Sequence, residues 1–295
     1  MAEFKVTDES LSSLKDKVVV VTGSSSGIGL ATVQLLLSQG ASVFGTDLNE
    51  PAEGAVSVGS PRFAFRGANV TEWKDLVAVF KAALELHGRV DHVFANAGIA
   101  PRTDYVTGIE LDEAGDPKEP TRAVLDVNLK GAINTAALGV HYIRQNPGGG
   151  SVVINASASA LQRFRGVDYA VAKHGAIGLM RGLHAALGAQ DATATTVRVN
   201  ALAPSWTGSG MVPAEPFNSA GIHTQTAGDV ARAAAGLMAD GARRGNLVHV
   251  DHGVYKEVDE ALLLPAYRSL LHAETLDEDE AAGGLIAGIM GNSQG

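Results

Sequence analysis

The chain contains no cysteine. That excludes disulfide staples and thiol nucleophiles, and on this ground alone leaves the compartment open. Aromatic residues are sparse, at 5% of 295 positions. Positive charge is also short: 23 Lys and Arg stand against 32 Asp and Glu, a formal net charge of −9. No basic cluster interrupts that balance, so nucleic acid is not an expected partner. No run approaches the ~18 apolar residues of a membrane helix, and no membrane span is expected. The opening stretch MAEFKVTDESLSSLKDK is polar and lacks the apolar core of a secretory signal. The closing Ser293-Gln294-Gly295 matches no common targeting signal, and a cytoplasmic location is the expectation.

Glycine and small apolar residues are what the chain has in quantity. It holds 35 glycines and is 45% hydrophobic, enough to bury a large core in one α/β domain. Residues 17–21 form a β-branched run that reads as a strand buried on both faces. A Gly/Ser loop follows, then a helical pattern over 28–39 with Gly40 as its cap. Further strands are predicted at 41–46, 62–66, 90–95, 151–156, 195–201 and 246–250. Helices are predicted at 71–86 with Thr71 as N-cap, 121–146, 168–187 and 229–240. Residues 51–60 read as a loop or frayed helix, 99–119 as a surface excursion, and 204–228 as a long loop. Alternating strands and helices require crossovers, hence a parallel sheet covered on both faces. The expected fold class is α/β: a doubly wound parallel sheet of about seven strands in three α/β/α layers. The expected organisation is one dinucleotide-binding and catalytic domain over 1–255. An extension over 256–295 would act as a lid, an oligomer arm or a partly disordered tail.

The first chemical signal follows the first strand. Gly23, Gly27 and Gly29 are spaced G-x-x-x-G-x-G, with Ser25, Ser26 and Ile28 between them. Glycines let the chain turn tightly and bring backbone close to a pyrophosphate. The helix N-terminus then offers free N–H groups and the positive end of a dipole. Asp47 lies about 20 residues beyond the loop, at the end of the second strand, where a carboxylate can accept from both adenosine ribose hydroxyls. It would repel a 2′-phosphate, and neither the loop nor residues 45–50 contain Arg or Lys. NAD is therefore expected over NADP, with Asp47 and Leu48 at the ribose.

Tyr169 and Lys173 are four apart on a predicted helix and share a face. A free tyrosine, with a pKa near ~10, is a poor base at neutral pH. A nearby ammonium stabilises the phenolate and is expected to pull that value down. Taken alone, Tyr-x-x-x-Lys is a common helix-surface pattern. One strand and loop beyond residues 151–156, in a chain that already has a phosphate loop, it points to an acid/base pair.

These pieces together resemble the short-chain dehydrogenase/reductase family over roughly residues 15–253. The matching residues are the loop from Thr22 to Gly29, Asn96-Ala97-Gly98, Asn128-Leu129-Lys130-Gly131, Tyr169-Ala-Val-Ala-Lys173 and Pro204. Within the family the chain most resembles the NAD-dependent prostaglandin dehydrogenase type and fungal reductases. The resemblance implies a Rossmann-like fold and a catalytic tetrad of Asn128, a serine after the fifth strand, Tyr169 and Lys173. Tyr169 would exchange the proton while hydride passes to or from nicotinamide. The serine would hold the substrate oxygen as an oxyanion donor. Asn128 would place a water linking Lys173 to solvent, and Lys173 would also hold the nicotinamide ribose. Asn96, Ala97 and Gly98 would line the adenosine side, with Asn69 and Val70 against the adenine. Pro204, Trp206, Thr207 and Ser209 would flank the carboxamide.

Three departures from the family pattern stand out. The serine usually lies 13 residues before the tyrosine, a position held here by Ala156. Ser157 and Ser159 flank the expected place; Ser157 is the first choice and Ser159 the second. Ser205 stands where glycine usually follows Pro204. Asn69 replaces the usual aspartate.

Leu161, Phe164, Trp206, Met211 and Phe217 are expected to wall the substrate pocket with Ser159, which suits a small hydrophobic alcohol or ketone. Arg163 and Arg165 would either meet a substrate anion or be solvated loop charges. His141, His174, His249 and His252 show no metal-ligand spacing, and no metal is expected. Small residues along 121–146 and 168–187 allow close helix packing, and the resemblance implies a homodimer or homotetramer. Two other readings remain: an NADPH-dependent ketoreductase of secondary metabolism, and a non-redox binding protein or cyclase on the same fold.

Overall fold

A computed structural model describes residues 2–56, 60–188, 196–271 and 285. Its strands are β1 (Ala2–Glu3), β2 (Val18–Thr22), β3 (Ser42–Asp47), β4 (Phe63–Gly67), β5 (His92–Ala95), β6 (Gly150–Asn155), β7 (Val197–Pro204), β8 (Leu247–Asp251) and β9 (Val254–Glu257). They form one sheet in the order β1-β9-β8-β7-β6-β5-β2-β3-β4. The seven strands from β2 to β8 are all parallel, as expected. β9 and β1 add two antiparallel edge strands that the alternation did not announce. The link from β8 to β9 is a two-residue turn, His252-Gly253, with φ of 49° and 75°. Two positive φ values in succession suit the twist of a tight hairpin.

The helices are α1 (Asp8–Leu11), α2 (Gly27–Ser38), α3 (Trp73–His87), α4 (Ala123–Leu125), α5 (Gly131–Ile143), α6 (Val167–Gly188), α7 (Ala214–Ser219), α8 (Ala227–Ala239) and α9 (Leu264–Arg268). Alternation along each strand sends side chains to two separate cores. Val20, Val93 and Val152 pack with Leu76 and Phe80 of α3, Ala136 of α5 and Met180 of α6. Val19, Val21, Phe94 and Val153 pack on the opposite face with Val33 and Leu36 of α2 and Leu237 of α8. Each fully buried Val or Leu contributes ~1.5–3 kcal/mol, which is why near-continuous apolar runs become central strands.

Two local expectations are corrected. Thr71 does not cap α3; Glu72 holds the N-cap position without a side-chain bond. Thr71 is instead drawn into a turn, its N–H and hydroxyl both donating to Asn69 Oδ1 at 3.1 and 3.0 Å. The helix expected over 121–146 is not continuous. A π-helical turn, Asp126–Lys130, joins α4 to α5. Such wide turns cluster at functional sites, and this one carries Asn128. Gln39 caps α2, and Gly40, expected as the cap, follows it with φ of 79°, its N–H donating to the Leu37 carbonyl at 3.0 Å.

The extension continues from β9 into a second π-helical turn, Asp259–Leu263, and α9. The Glu257 carboxylate accepts from the N–H groups of Asp259, Glu260 and Ala261. Buried Asp259 pairs with Arg181 of α6, which ties residues 259–271 to the body of the domain. Of the acidic run 277–280 and the apolar run 285–290, all but exposed Leu285 lie outside the described residues.

Candidate active site

β2 and β5 are neighbours in the sheet although β3 and β4 separate them in sequence. The chain therefore winds outward in opposite directions from this pair, leaving a crevice beyond the C-terminal strand ends. A cleft of about 900 Å³ opens there. At one end it is lined by Asp47, Leu48, Asn69 and Val70, and elsewhere by Gly23, Ser26, Gly27 and Ile28, and by Ser157, Tyr169 and Lys173.

The glycine loop is held by polar groups from the switch point. Gly23 and Gly27 have φ of 66° and 50°, a backbone that side-chain-bearing residues rarely adopt. A Cβ on Gly29 would collide with the Gly23 carbonyl, so the third glycine lets the first turn of α2 close on the loop. Asn96 donates from Nδ2 to the carbonyls of Thr22 and Gly23 at 3.0 and 3.2 Å. Thr22 Oγ1 accepts from the N–H groups of Asn96 and Ala97. Asn155 Nδ2, from the end of β6, donates to Asn96 Oδ1 at 2.9 Å. The tips of three strands are thus sewn together beneath the cleft.

Asp47 serves the same purpose on the other side. Its carboxylate accepts from the N–H of Ser25 at 3.1 Å and of Leu48 at 2.7 Å. Ser25 also donates its hydroxyl to the Asn49 carbonyl at 2.5 Å. Ser25 and Gly29 shape the loop and are not part of the cleft lining, whereas Ser26, Gly27 and Ile28 are.

At the opposite end α6 presents Tyr169 and Lys173. Lys173 is buried, donates from Nζ to the Asn155 carbonyl at 2.7 Å, and lies 5.5 Å from the centre of the Tyr169 ring. Burial lowers its ammonium from the ordinary lysine value to about 8. Ser157 and Tyr169 line the same cleft. The expected downward pull on the phenol is overturned here. Burial raises it above its ordinary value, and Ser157 offsets that only in part. Ser157 also caps the short turn Ala158–Ala160 by accepting from the Ser159 N–H at 3.1 Å.

Asn128 lies behind the cleft. Its side-chain amide forms a closed pair with Ile99, accepting from the N–H at 2.8 Å and donating to the carbonyl at 2.9 Å. Asp168 acts similarly on the next residues, accepting from the N–H groups of Arg102 and Thr103 at 3.1 Å each. The segment 99–102, which lines the cleft, is thereby pinned at both ends.

The loop after β7 forms the remaining wall. Pro204, Ser205, Trp206, Thr207, Ser209 and Met211 all line the cleft. Thr207 donates its hydroxyl to the Ser205 carbonyl, and Gln225 Nε2 ties the Ser205 and Thr207 hydroxyls together at 3.2 Å each. Ser205 donates to Asp251 Oδ1 at 2.7 Å. Phe164, Trp206 and Phe217 form a chain of rings beside Tyr169, with centroids 5.1–6.0 Å apart.

Leu161, Arg163 and Arg165 do not line the cleft; Leu161 packs against the core instead. Arg102 and Gln162 do line it, within the excursion after residue 99 and the loop after Ser157 that were expected to wall the pocket; His249 and Asp251 line it too, and sequence reasoning missed those two. Asp168, adjacent to Tyr169, was readable only as a first-turn helix acid. Among the described residues no group of three or more His, Asp or Glu is placed to hold a metal ion. None of the described helices is long and apolar enough to cross a membrane.

Comparison with known proteins agrees with this geometry. The sequence model of the short chain dehydrogenase family matches residues 17–218. The chain belongs to that family. It is 49% identical over 277 residues to a short-chain dehydrogenase/reductase, ascJ, of Acremonium egyptiacum, covering 93% of this chain and 91% of that one. It is 36% identical over 231 residues to the short-chain dehydrogenase/reductase prx4 of Penicillium roqueforti, covering 77% and 66%. Among solved structures, levodione reductase superposes with a TM-score of 0.66 at 25% identity, covering 81% of this chain and 97% of that one. The family consists of oxidoreductases that bind nicotinamide cofactors and act on small substrates, and it carries the Rossmann-like fold seen here.

Proposed function

We propose that the protein is an NAD(H)-dependent oxidoreductase acting on a secondary alcohol or ketone of a small hydrophobic substrate, with Tyr169 as the general acid and base. The observation that carries this reading is the convergence of Ser157, Tyr169 and Lys173 on the cleft that the glycine loop and Asp47 also line.

The residues present fit the cofactor. Positive-φ Gly23 and Gly27 and the start of α2 form a backbone cradle for a pyrophosphate. Asp47 and Leu48 stand where the adenosine ribose would lie, and Asn69 and Val70 where the adenine would. Asn96, Ala97 and Gly98 floor the middle of the cleft. Pro204, Trp206, Thr207 and Ser209 flank the carboxamide position. When bound, nicotinamide supplies or accepts the hydride. The charged residues of the lining are Asp47, Arg102, Lys173 and Asp251, so the adenosine end offers a carboxylate and no cation. That favours NAD over NADP.

Ser157 and Tyr169 hold the substrate oxygen between two hydroxyls. In reduction Tyr169 donates its proton to the developing alkoxide, while Ser157 stabilises the charge. In oxidation Tyr169 takes the proton back, and Lys173 beside the ring favours the phenolate. Asn128 acts by fixing Ile99 and the cleft wall behind these groups. Ser159, Phe164, Trp206 and Met211 meet the substrate. Exposed Ile133 on α5 and Val167 and Val171 on α6 suit packing of these helices in a homodimer or homotetramer.

The test follows nicotinamide absorbance with NADH and NADPH against a panel of ketones, and with NAD and NADP against the matching alcohols. NADH-dependent reduction, or NAD-dependent oxidation, of an apolar member is expected. Binding of either cofactor without any turnover across the panel would favour the non-redox reading.

A further inference from the structure

Gln225 stands just before the N-cap of α8, behind the cleft and outside its lining, and is only 2% exposed. Its backbone holds the loop after β7: the Gln225 N–H donates to the Trp206 carbonyl at 2.8 Å, and its carbonyl accepts from the Gly208 N–H at 2.9 Å. Its side chain reaches further. Nε2 lies 3.0 Å from the Val250 carbonyl and 3.2 Å from both the Ser205 and the Thr207 hydroxyl oxygens. Oε1 accepts from the His252 N–H at 3.1 Å. One buried amide therefore joins the loop that carries Trp206 and Thr207 to the end of β8 and to the β8–β9 turn. Hydroxyls accept from it because their own protons point elsewhere. Ser205 donates to Asp251 Oδ1 at 2.7 Å, and Thr207 donates to the Ser205 carbonyl at 2.9 Å. The network thus runs in one direction, from the Gln225 amide to the Asp251 carboxylate. The Ser205 hydroxyl is the main cause holding Asp251 below its ordinary value. This also accounts for a serine where the family pattern has glycine, since its hydroxyl is taken up within the network.

We infer that Gln225 is a positioning residue for the nicotinamide half of the cofactor, acting through Ser205 and Thr207. The inference rests on the nicotinamide reading given above, in which the segment after Pro204 flanks the carboxamide. Both residues that Gln225 grips line the cleft, as does Trp206 between them. The adenosine end is held separately, by bonds among Thr22, Asn96, Asn155, Asp47 and the glycine loop. Among the described residues, none of the bonds made by Gln225 involves that frame. Loss of the amide would therefore disturb one wall of the cleft and leave the other in place. The fold itself has other ties there. The Val250 carbonyl keeps the Ser205 N–H at 2.9 Å, and the two backbone bonds of residue 225 remain. What is lost is the buried anchor that fixes Ser205 and Thr207 over the end of β8. A satisfied buried network rigidifies its members, and a small displacement of a positioning group costs a bound ligand its geometry.

The probes are NADH and ADP-ribose, which share the adenosine, the diphosphate and the second ribose and differ by the nicotinamide. Their dissociation constants are measured by calorimetry on the parent and on Gln225→Met, which keeps the length of the side chain and removes its donors and acceptor. NADH is expected to bind at least ~5-fold more weakly to the variant, the scale of one net hydrogen bond, while ADP-ribose stays within twofold of the parent. Ser205→Ala deletes the hydroxyl that links Gln225 to Asp251, and should show the same selectivity with a loss of ~3-fold or more. It decides the question should circular dichroism show that Gln225→Met does not fold. Equal weakening of the two ligands would mean a general structural role and overturns the inference. NADH binding unchanged within twofold overturns it as well. A parent that binds neither NADH nor NADPH sinks the nicotinamide reading itself.

Discussion

The end of the cleft proposed for adenosine is built from backbone and short polar side chains at strand tips, whereas the end proposed for substrate is built from side chains on α6 and on loops. Thr22, Asn96, Asn155 and Asp47 bond to one another and to the glycine loop, so the adenosine end is set before any ligand arrives. At the other end Ser159 is left without a partner, and Trp206 and Met211 remain partly exposed, at 37% and 38%. The difference teaches where rigidity is placed. A cofactor common to a whole family is met by a fixed frame, and a particular substrate completes the part that varies.

The largest effect that could break this comparison lies at Ser157. Ser157→Ala removes the proposed oxyanion donor and should lower kcat by roughly 10²-fold, the scale of losing one such donor. Ser159→Ala should cost at least tenfold less. Steady-state kinetics of the two variants decide the point. The reverse order would transfer the role to Ser159 and remove the division between the two serines.

Lys173 belongs to both ends, because it reaches Asn155 and lies beside the Tyr169 ring. Its burial cost has a pH signature in the cofactor-free protein. Below pH 8 the folded and unfolded states both hold the lysine proton, and stability is independent of this group. Between about 8 and the ordinary lysine value the unfolded state binds more protons, so unfolding free energy rises with pH through that window. At 1.36 kcal/mol per pKa unit the gain reaches at most ~3 kcal/mol. Tyr169, raised by burial, stays protonated through most of it. Urea unfolding of the parent and of Lys173→Met at pH 7.5 and near ~10 should show a slope in the parent that the variant lacks. Parallel curves would mean that the ammonium is already solvated.

The smallest effect concerns cofactor choice. NADH should bind better than NADPH by ~1–3 kcal/mol, the scale of losing a charged hydrogen bond and adding repulsion at Asp47. Asp47→Ser with Leu48→Arg should shift preference toward NADPH, since guanidinium grips phosphate in a fork. The comparison sharpens here, because Asp47 also holds the Ser25 N–H. The double variant should therefore bind both cofactors somewhat less tightly than the NADH affinity of the parent. Dissociation constants at one salt concentration measure both quantities. A parent that prefers NADPH would refute the role given to Asp47.

The adenosine end was also the more legible in sequence. The valines of β2, the glycine spacing and Asp47 follow from local rules: a buried strand, a tight turn, an acid at the next strand end. The spacing of Tyr169 and Lys173 placed them on one helical face. What sequence could not show depends on long-range geometry. The π turn at Asn128 has no local signature. Asp168 pins residues 102 and 103 across 65 positions or more of chain. His249 and Asp251 reach the cleft because β8 ends beside it, and Arg163 and Arg165 miss it although Gln162 and Phe164 of the same loop line it. The direction of the Tyr169 shift was misread because burial, which the sequence does not show, dominates it.

The central claim is that proton transfer resides in one hydroxyl at one end of a cleft whose cofactor frame stands apart from it. Tyr169→Phe deletes that hydroxyl and keeps the ring. On this account its NADH dissociation constant stays within a few-fold of the parent, while turnover of the best ketone falls by at least ~100-fold, the scale of general acid–base catalysis. Turnover within a few-fold of the parent would contradict the account and assign the proton to another group.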